Sequence, residues 1–353
     1  MISDDVWLVP AEWLPPEAEK TTDALAAGRV SADEADAMGY EQLPVSTGLS
    51  APEMAVRAGL RALSRAGVPA GDLAAILHAW TYYQGHDFWS PAHHVAAGTG
   101  ALGAVPTGIQ QMCNGAAAAL RAAVHHHAAH PGGAPVLVTT ADRFAPPGFD
   151  RWGGDYGVWY GDGATAAVVG TGTPGRRGPG SGIPEGALAL CALQTRAAPE
   201  LETAHRDTGT FHPAPHTRSA AVDVRRTKKA FLAGHGKPRF LDRLRHETTA
   251  VLAAALAEAG IGSGGRRLTE VLLPRLGRAT ARDVYGPAVA EVTDAPLADL
   301  GERTGHLGAG DLLSNLTALA AETGPHRLEP GRYAAVLSAG AGFTWSAAVL
   351  RRA

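Results

Sequence analysis

The chain has 353 residues, enough for about two domains of roughly 150 residues each, and its hydrophobic content of 45% is that of a globular protein. Its 44 glycines and 24 prolines are too few and too unpatterned for collagen or for a disordered chain. A net charge of −3 excludes a global positive field that would hold nucleic acid or an anionic membrane.

Two cysteines, Cys113 and Cys191, are too few for a disulfide framework or for a structural zinc site of their own, which favours a reducing compartment. The first residues are acidic, whereas a signal peptide begins with a positive region followed by an apolar run. No stretch approaches the roughly 18 apolar residues of a membrane span. The sequence therefore predicts a cytoplasmic protein without a nucleic-acid or membrane partner.

Short apolar runs alternate with helical patterns along the chain, which predicts a layered α/β fold. In the first half the predicted strands are Val6–Val9, Ala74–Trp80, Pro135–Thr140 and Ala164–Gly170, and the predicted helices are Ala51–Ala66 and Gly115–His130. Ser50 and Glu53 match the capping-box pattern at the start of the first of these helices.

Turn-forming residues crowd Thr171–Glu185, which predicts a connection between two halves. The pattern then resumes, with predicted strands at Ala187–Gln194, Glu270–Leu273, Ala334–Ser338 and Trp345–Arg351 and helices at Phe240–Ala259 and Asp311–Glu322. The similar order of elements predicts duplicated α/β halves at residues 1–172 and 173–353. The polar stretch 197–237 is predicted to be a loop-rich insertion that covers a substrate entrance.

Cys113 stands where the predicted Ala-rich helix begins, in the segment GIQQMCNGAAAAL. The positive end of a helix dipole and its free amides favour a nucleophilic thiolate at such a position. The alternative is a small buried apolar residue, the usual state of a free cysteine. Cys191 lies inside a predicted strand, and there the interpretation as a small buried apolar residue is favoured.

A glycine-rich turn, GHLGAGD, holds His306 and Asp311 five residues apart just before a predicted helix. A histidine can remove a proton from an acceptor hydroxyl or amine and return one to a leaving thiolate, and a nearby carboxylate can fix its tautomer. The alternative is a surface histidine in a turn, since the chain has fifteen histidines.

The loop SAGAGF, residues 338–343, lies between two apolar strands, and its amides could form half of an oxyanion hole, with the Cys113 amide as the other half. A plain tight turn is the alternative.

The consecutive residues His125, His126 and His127 point in different directions on a helix and cannot chelate one ion together, so no metal site is predicted. The glycine-rich strings lack the residues of a P-loop or a dinucleotide fingerprint.

These segments resemble the thiolase-fold condensing enzymes of the ketoacyl synthase III group. The resemblance follows the chain order through MCNGAAAAL, PVLVTTAD, YGDGATAAVVG, VLLPR, GHLGAGD and LSAGAGFTWSAAVLRR. It implies a five-layered αβαβα fold, a homodimer, and transfer of an acyl group from coenzyme A or an acyl carrier protein through a cysteine thioester. It places the acyl-accepting cysteine at Cys113 and the oxyanion loop at Gly340 and Gly342.

Two positions depart from the decarboxylating members of this group. Those enzymes have a histidine after the Leu-Pro of VLLP and an asparagine in the later turn, where this chain has Arg275 and His306. Without the histidine–asparagine pair, the sequence resembles the acyltransferases and starter-unit enzymes of antibiotic pathways. Arg275 could bind the carboxylate of a malonyl-type donor, or it could face a structural partner.

The sequence thus predicts an acyltransferase that needs no cofactor. Cys113 would accept the acyl group, His306 would be the general base toward a hydroxyl of a sugar or natural product, and Asp311 would orient the imidazole. The alternatives are a condensing enzyme that forms a carbon–carbon bond, and a non-catalytic partner of the carrier protein.

Overall fold

The computed structural model describes residues 6–172, 182–206, 209–214, 217, 219–262 and 267–353. The strands are β1 (Val6–Trp13), β2 (Ala18–Lys20), β3 (Gln42–Pro44), β4 (Ala75–Ala79), β5 (Val105–Ile109), β6 (Val136–Asp142), β7 (Gly163–Thr171), β8 (Leu188–Ala197), β9 (Leu268–Leu272), β10 (Leu297–Ala298), β11 (Tyr333–Gly340) and β12 (Thr344–Arg352).

The α-helices are α1 (Thr21–Ala26), α2 (Ala32–Met38), α3 (Ala51–Ala66), α4 (Pro91–Thr99), α5 (Gly115–Ala129), α6 (Val224–His235), α7 (Lys237–Glu258), α8 (Arg278–Thr280), α9 (Gly286–Ala290) and α10 (Asp311–Leu319). Within the described residues, 3-10 helices lie at Ala70–Asp72, Met112–Asn114, Pro199–Ala204 and Gly308–Gly310, and a π-helix spans Ala281–Tyr285.

Ten strands form one sheet in the order β10-β9-β11-β12-β8-β1-β7-β6-β4-β5. Each half of this sheet has the same topology, because the strand order β1-β7-β6-β4-β5 is repeated by β8-β12-β11-β9-β10 with the same parallel and antiparallel pairings. The halves meet where β1 pairs with β8 at Trp7–Ala189 and Leu8–Leu188. The structure thus shows a duplication around one central seam.

Five layers result from the way the apolar faces are buried. The central core combines α5 and α10 with the inward faces of both half-sheets, and alanines in α5 permit close packing there. A second cluster packs α3 and α4 on the outer face of the first half-sheet, and a third packs α7 and α9 on the outer face of the second. The predicted αβαβα arrangement is confirmed.

The long apolar elements lie close to their predicted bounds because burial imposes a clear hydrophobic pattern on their sequences. Strand β6 is buried at every position, which gives it the continuous apolar run of an interior strand. Helix α3 begins after Ser50 as predicted, and the Ser50 amide donates to Glu53 Oε2 at 2.7 Å. Strand β5 was not predicted, because it is exposed at the sheet edge and carries a proline and a glycine.

The prediction that 197–237 is loop-rich is wrong for a third of its length, because α6 lies within it. The side chain of Asp223 caps this helix by accepting a hydrogen bond from the amide of Arg226 at 2.9 Å. The apolar residues of α6 pack on α7 and its neighbours.

The centre of the predicted connection, 173–181, lies outside the described residues, so the division at residues 172 and 173 stays a prediction. Among the described helices, none has the length and apolarity needed to cross a bilayer.

Candidate active site

A cavity of about 580 Å³ is lined by residues of both halves of the chain. Helices α6 and α7 of the second half form part of its wall. Most of its wall is apolar, formed by the side chains Val158, Leu232, Phe240, Leu241, Leu244, Leu276, Val284, Phe343 and Trp345. The polar groups in this wall include Cys113 and His306, which come from different halves of the chain. The structure therefore brings together the two side chains that the sequence singled out for chemistry.

Cys113 lies in the 3-10 turn that leads directly into α5 and is partly buried. The preceding residue, Met112, has a φ of +49°, a left-handed backbone conformation that residues other than glycine rarely adopt. Asn114 anchors the turn by donating to Gln111 Oε1 at 3.1 Å and to Ser346 Oγ at 3.0 Å. This local strain and anchoring direct the thiol into the cavity at the N-terminus of α5.

His306 is held by the first half of the chain, although it belongs to the second. Its amide donates to Trp159 O at 2.9 Å, and its carbonyl accepts the amide of Gly161 at 3.0 Å. The ring of Tyr160 packs edge-on against the imidazole, with 5.4 Å between ring centroids. The YGDG and GHLG segments, separate in sequence, thus form one buried unit.

Asp311 is the first residue of α10, and three N–H groups fix its carboxylate. His306 Nδ1 lies 2.6 Å from Oδ2, the amide of Arg275 donates to Oδ2 at 2.9 Å, and the amide of Leu307 donates to Oδ1 at 2.8 Å. Burial alone would raise the pKa of Asp311, but the charge and hydrogen bond of His306 hold that pKa below its usual value. The carboxylate is therefore ionised and pre-positioned.

The imidazole of His306 interacts with both the Asp311 carboxylate and the Cys113 thiol. Burial lowers its pKa, but the charges of Asp311 and Cys113 and the hydrogen bonds to both outweigh burial, so the pKa of His306 is raised well above its usual value. With Nδ1 bound to Asp311, Nε2 is the ring nitrogen that faces Cys113. The three side chains form a continuous Cys–His–Asp relay.

Asp142, which the sequence did not single out, positions the glycine-rich turn from the end of β6. Its carboxylate accepts the amides of Thr81 and Tyr82, each at 2.8 Å, and the amide of Ala309 at 2.9 Å. Burial raises the pKa of Asp142 to about 6 against the effect of these amides. Gly308 has a φ of +60°, and a Cβ there would lie 2.7 Å from Asp142 Cγ, so glycine is required.

The loop with the predicted oxyanion glycines lies beside the turn that carries Cys113. A Cβ on Gly340 would lie 2.6 Å from the backbone nitrogen of Asn114, so the end of β11 touches the residue next to Cys113. Gly340 lines the cavity together with Ala339 and Ala341, whereas Gly342 is not among its lining residues. The loop is adjacent to the thiol as predicted, and the assignment of the amides stays a prediction.

Arg275 lies apart from the cavity wall, which favours the structural one of its two predicted roles. Its guanidinium donates to Thr304 Oγ1 at 2.7 Å and to Asn315 Oδ1 at 3.3 Å, and the residue is buried. Asn315 also donates to Leu273 O at 2.8 Å. The guanidinium therefore braces the turn before His306 rather than reaching a bound acyl group.

Sequence reasoning missed a second polar network in the cavity. Asp155 accepts the hydroxyl of Tyr160 at 2.7 Å, and Lys228 Nζ from α6 lies 2.5 Å from the same carboxyl group. The only sequence signals were a lysine in a polar segment and an aspartate in a glycine-rich loop, neither of which indicates a pair. This network joins α6 to the first half across the cavity.

No protein-family profile matches the sequence, and no curated protein matches it. Among solved structures, ChlB3, described as an acyltransferase, is 30% identical with a TM-score of 0.85, and the alignment covers 99% of this chain and 98% of that one. The 3-oxoacyl-(acyl carrier protein) synthase III, FabH, of Pseudomonas aeruginosa is 20% identical with a TM-score of 0.73, over 99% and 98% of the two chains.

A priming β-ketosynthase from a polyketide biosynthetic pathway is 18% identical with a TM-score of 0.71, over 99% of this chain and 96% of that one. The last two similarities show the shared fold, and the first extends to sequence along nearly the whole length of both chains. From the duplicated five-layered fold and this full-length relationship to ChlB3, the chain belongs to the ketoacyl synthase III-like family of thiolase-fold transferases.

Proposed function

We propose that the protein transfers an acyl group from a coenzyme A or carrier-protein thioester, through a thioester on Cys113, to a hydroxyl group of a small-molecule acceptor. The observation that carries this proposal is the relay of Cys113 with the buried His306 and Asp311 at a largely apolar cavity. The relative ChlB3 is itself described as an acyltransferase.

In the first half-reaction the Cys113 thiolate attacks the donor carbonyl carbon, while the proton of the thiol resides on His306. The amides of Cys113 and of the loop that begins at Gly340 would stabilise the oxyanion of the tetrahedral intermediate. The carbon–sulfur bond of the donor then breaks, and the leaving thiolate takes the proton from His306. The products are an acyl-Cys113 thioester and the free thiol of the donor.

In the second half-reaction His306 Nε2 removes the proton of the acceptor hydroxyl, and the oxygen attacks the acyl-Cys113 carbonyl carbon. The bond to Cys113 sulfur breaks, and the sulfur leaves as the thiolate that begins the next cycle. Asp311 holds Nδ1 and stabilises the positive charge on the ring throughout. The reaction is balanced without a cofactor, because one ester forms for each donor thioester that is consumed.

Two lysines favour a phosphate-bearing donor. Lys229 on α6 and Lys237 at the start of α7 are exposed and line the cavity, where they can meet the phosphates of coenzyme A or of a carrier protein's phosphopantetheine. With a net charge of −3 the protein has no global positive field, so attraction of a phosphate has to come from local cations of this kind. These lysines therefore support acyl-coenzyme A or an acyl carrier protein as the acyl donor.

The proposal includes a homodimer. Strand β5 is the last strand of the sheet among the described residues, and Val105 at its start and Leu102 just before it are 65% and 82% exposed. An exposed apolar edge strand is a template for pairing with a second copy. Light scattering at micromolar concentration should give twice the chain mass.

Intact-protein mass spectrometry tests the proposal directly. After incubation with a panel of acyl-coenzyme A thioesters, we expect one acyl adduct on the wild-type chain and none on Cys113→Ala, with Cys191→Ala as the matched control that still forms it. A Cys113→Ala variant that turns over normally would refute the mechanism. Carbon dioxide released from a malonyl donor during turnover would indicate the condensing alternative instead, and the absence of any adduct would indicate a non-catalytic role.

A further inference from the structure

Tyr285 lies in the cavity wall and comes from the second half of the chain. It is the last residue of the π-helix Ala281–Tyr285, a rare form of helix that is frequent at functional sites. Its ring belongs to the apolar cluster that packs α7 and α9 on the second half-sheet, and the residue is only 4% exposed. The surrounding side chains therefore fix the ring, and the position of its hydroxyl group is fixed with it.

Within the part of the chain that the structure describes, the hydroxyl group of Tyr285 has no hydrogen-bond partner. It differs from the unpaired polar atoms that are sealed inside the protein, such as the indole nitrogen of Trp7, because its oxygen still reaches the open space of the cavity. Two other polar groups of the wall, Tyr160 and Lys228, are already bound to Asp155. The hydroxyl group of Tyr285 is therefore free to bind a molecule that enters the cavity.

The hydroxyl group of Tyr285 faces the same space as the Cys–His–Asp relay. Burial raises the pKa of Tyr285, and the negative charges of Asp311 and Cys113 raise it further. These charges come from the two ends of the relay, so the hydroxyl group lies within electrostatic reach of both ends. It keeps its proton at physiological pH and can both donate and accept a hydrogen bond.

The second half-reaction is the one that needs a further polar contact. In the proposed first half-reaction, the carbonyl oxygen of the donor has the oxyanion amides as partners and its phosphates have Lys229 and Lys237. An acceptor with two hydroxyl groups loses the hydration of both when it enters a largely apolar cavity, and His306 pairs with only one of them. The other one needs a partner in the wall, and the unpaired hydroxyl group of Tyr285 provides it.

We propose that Tyr285 is a specificity-determining residue whose hydroxyl group binds a second hydroxyl group of the acceptor, so that the acceptor is a 1,2- or 1,3-diol. This inference rests on the proposed acyl transfer and names its acceptor class. His306 removes the proton of one hydroxyl group, and that oxygen attacks the acyl-Cys113 carbonyl carbon and displaces the sulfur as a thiolate. The neighbouring hydroxyl group keeps its proton and stays bound to Tyr285. An acceptor without it leaves Tyr285 unpaired and is rejected.

The test measures the two half-reactions separately. Cys113 is first acylated with the acyl-coenzyme A donor that gives the adduct, and the excess donor is removed. Loss of the adduct is then followed by intact-protein mass spectrometry with cyclohexanol, or with cyclohexane-1,2-diol or cyclohexane-1,3-diol in their cis and trans forms, and is corrected for hydrolysis without alcohol. We expect at least one diol to remove the adduct about tenfold or more faster than cyclohexanol, of which a factor of about two reflects the number of hydroxyl groups.

Tyr285→Phe keeps the ring and removes only the oxygen. We expect the advantage of that diol over cyclohexanol to fall to about twofold or less. The rate of adduct formation, the rate with cyclohexanol and the melting temperature should stay at their wild-type values, because the hydroxyl group has no partner within the described part of the fold.

Tyr83→Phe is the matched control, since Tyr83 is 49% exposed and is not among the residues that line this cavity, and it should keep the wild-type preference. Equal rates for cyclohexanol and every diol in the wild-type protein, including no reaction with any of them, would overturn the inference. A Tyr285→Phe variant that keeps the preference would do the same, as would slower adduct formation in that variant, because the hydroxyl group would then act on the donor.

In each of these cases an adduct still forms, so the proposed thioester on Cys113 stands. Failure of every donor to form an adduct would instead refute the acyl transfer, and this inference with it.

Discussion

Nδ1 of His306 lies 2.6 Å from Oδ2 of Asp311, and both side chains are buried. The carboxylate also accepts the amides of Arg275 and Leu307, so its position does not depend on the histidine alone. A carboxylate fixed in this way keeps its negative charge, which orients the imidazole and stabilises it when it is protonated.

Replacing Asp311 with asparagine tests this relationship. Asp311→Asn keeps the size of the side chain but removes the charge and presents an amide group that can donate to Nδ1, which favours the wrong tautomer. We expect kcat for acyl transfer to fall by about 10²- to 10⁴-fold with little change in KM. Steady-state kinetics provide the measurement.

The matched control is Asp242→Asn, since the side chain of Asp242 is 71% exposed on α7. This variant should retain wild-type kcat. Should Asp311→Asn keep its kcat while Asp242→Asn does the same, the charge of Asp311 has no part in catalysis.

The raised pKa of His306 predicts a pH-dependent contribution to stability. The pKa in the folded state lies above the usual value of about 6.5, so protonation of His306 stabilises the fold fully below pH 6.5, and this stabilisation is lost as the pH rises through the folded-state pKa. Urea unfolding of the wild type and of His306→Gln should therefore differ most near pH 6 and less at pH 9. A difference that grows with pH would contradict the assignment of the charged imidazole.

Arg275→Ala should affect malonyl and acetyl donors alike, because the guanidinium is bound to Thr304 and Asn315. The variant removes the donor to buried Asn315 Oδ1 and leaves Thr304 Oγ1 only its hydrogen bond to Gly305 O, and we expect the free energy of unfolding to fall by roughly 2 kcal/mol. The measurement is KM for the malonyl and the acetyl donor, compared between the wild type and Arg275→Ala. A rise confined to the malonyl donor would show that the arginine reaches the acyl group.

Gly308→Ala should destabilise the protein more than Gly67→Ala does. Both glycines have left-handed backbones, with φ of +60° and +63°, so the conformational penalty is common to both variants. The added Cβ meets open space at Gly67 but overlaps the Asp142 carboxyl group at Gly308. We expect losses of about 1 kcal/mol for Gly67→Ala and at least about 2 kcal/mol for Gly308→Ala, measured by chemical denaturation.

Burial explains how much of the fold could be predicted. Interior strands such as Val136–Asp142 and amphipathic helices such as Ala51–Ala66 carry a pattern that solvent and core impose directly on the sequence. Strand β5 and helix α6 carry a weak pattern, because the first is exposed and the second is rich in charge. Their structures depend on the neighbours that they pack against, which a local pattern does not reveal.

The candidate site divides in the same way. Cys113, His306 and Asp311 were found because each lies at a recognisable turn before a helix, and the structure places them in contact. Asp155 and Lys228 lie far apart in sequence and meet only after α6 packs against the first half. The orientation of Arg275 likewise depended on Thr304 and Asn315, whose proximity no spacing in the sequence encodes.

The duplication has an electrostatic consequence. Helices α5 and α10 occupy equivalent places in the two halves, and a Cβ on Gly115 at the start of α5 would lie 3.2 Å from the Cβ of Ala309, two residues before α10. The N-termini of the two helices, which carry the positive ends of their dipoles, therefore lie close together. Negative charge that forms beside these N-termini is attracted by one helix from each half, so the two halves provide that environment together.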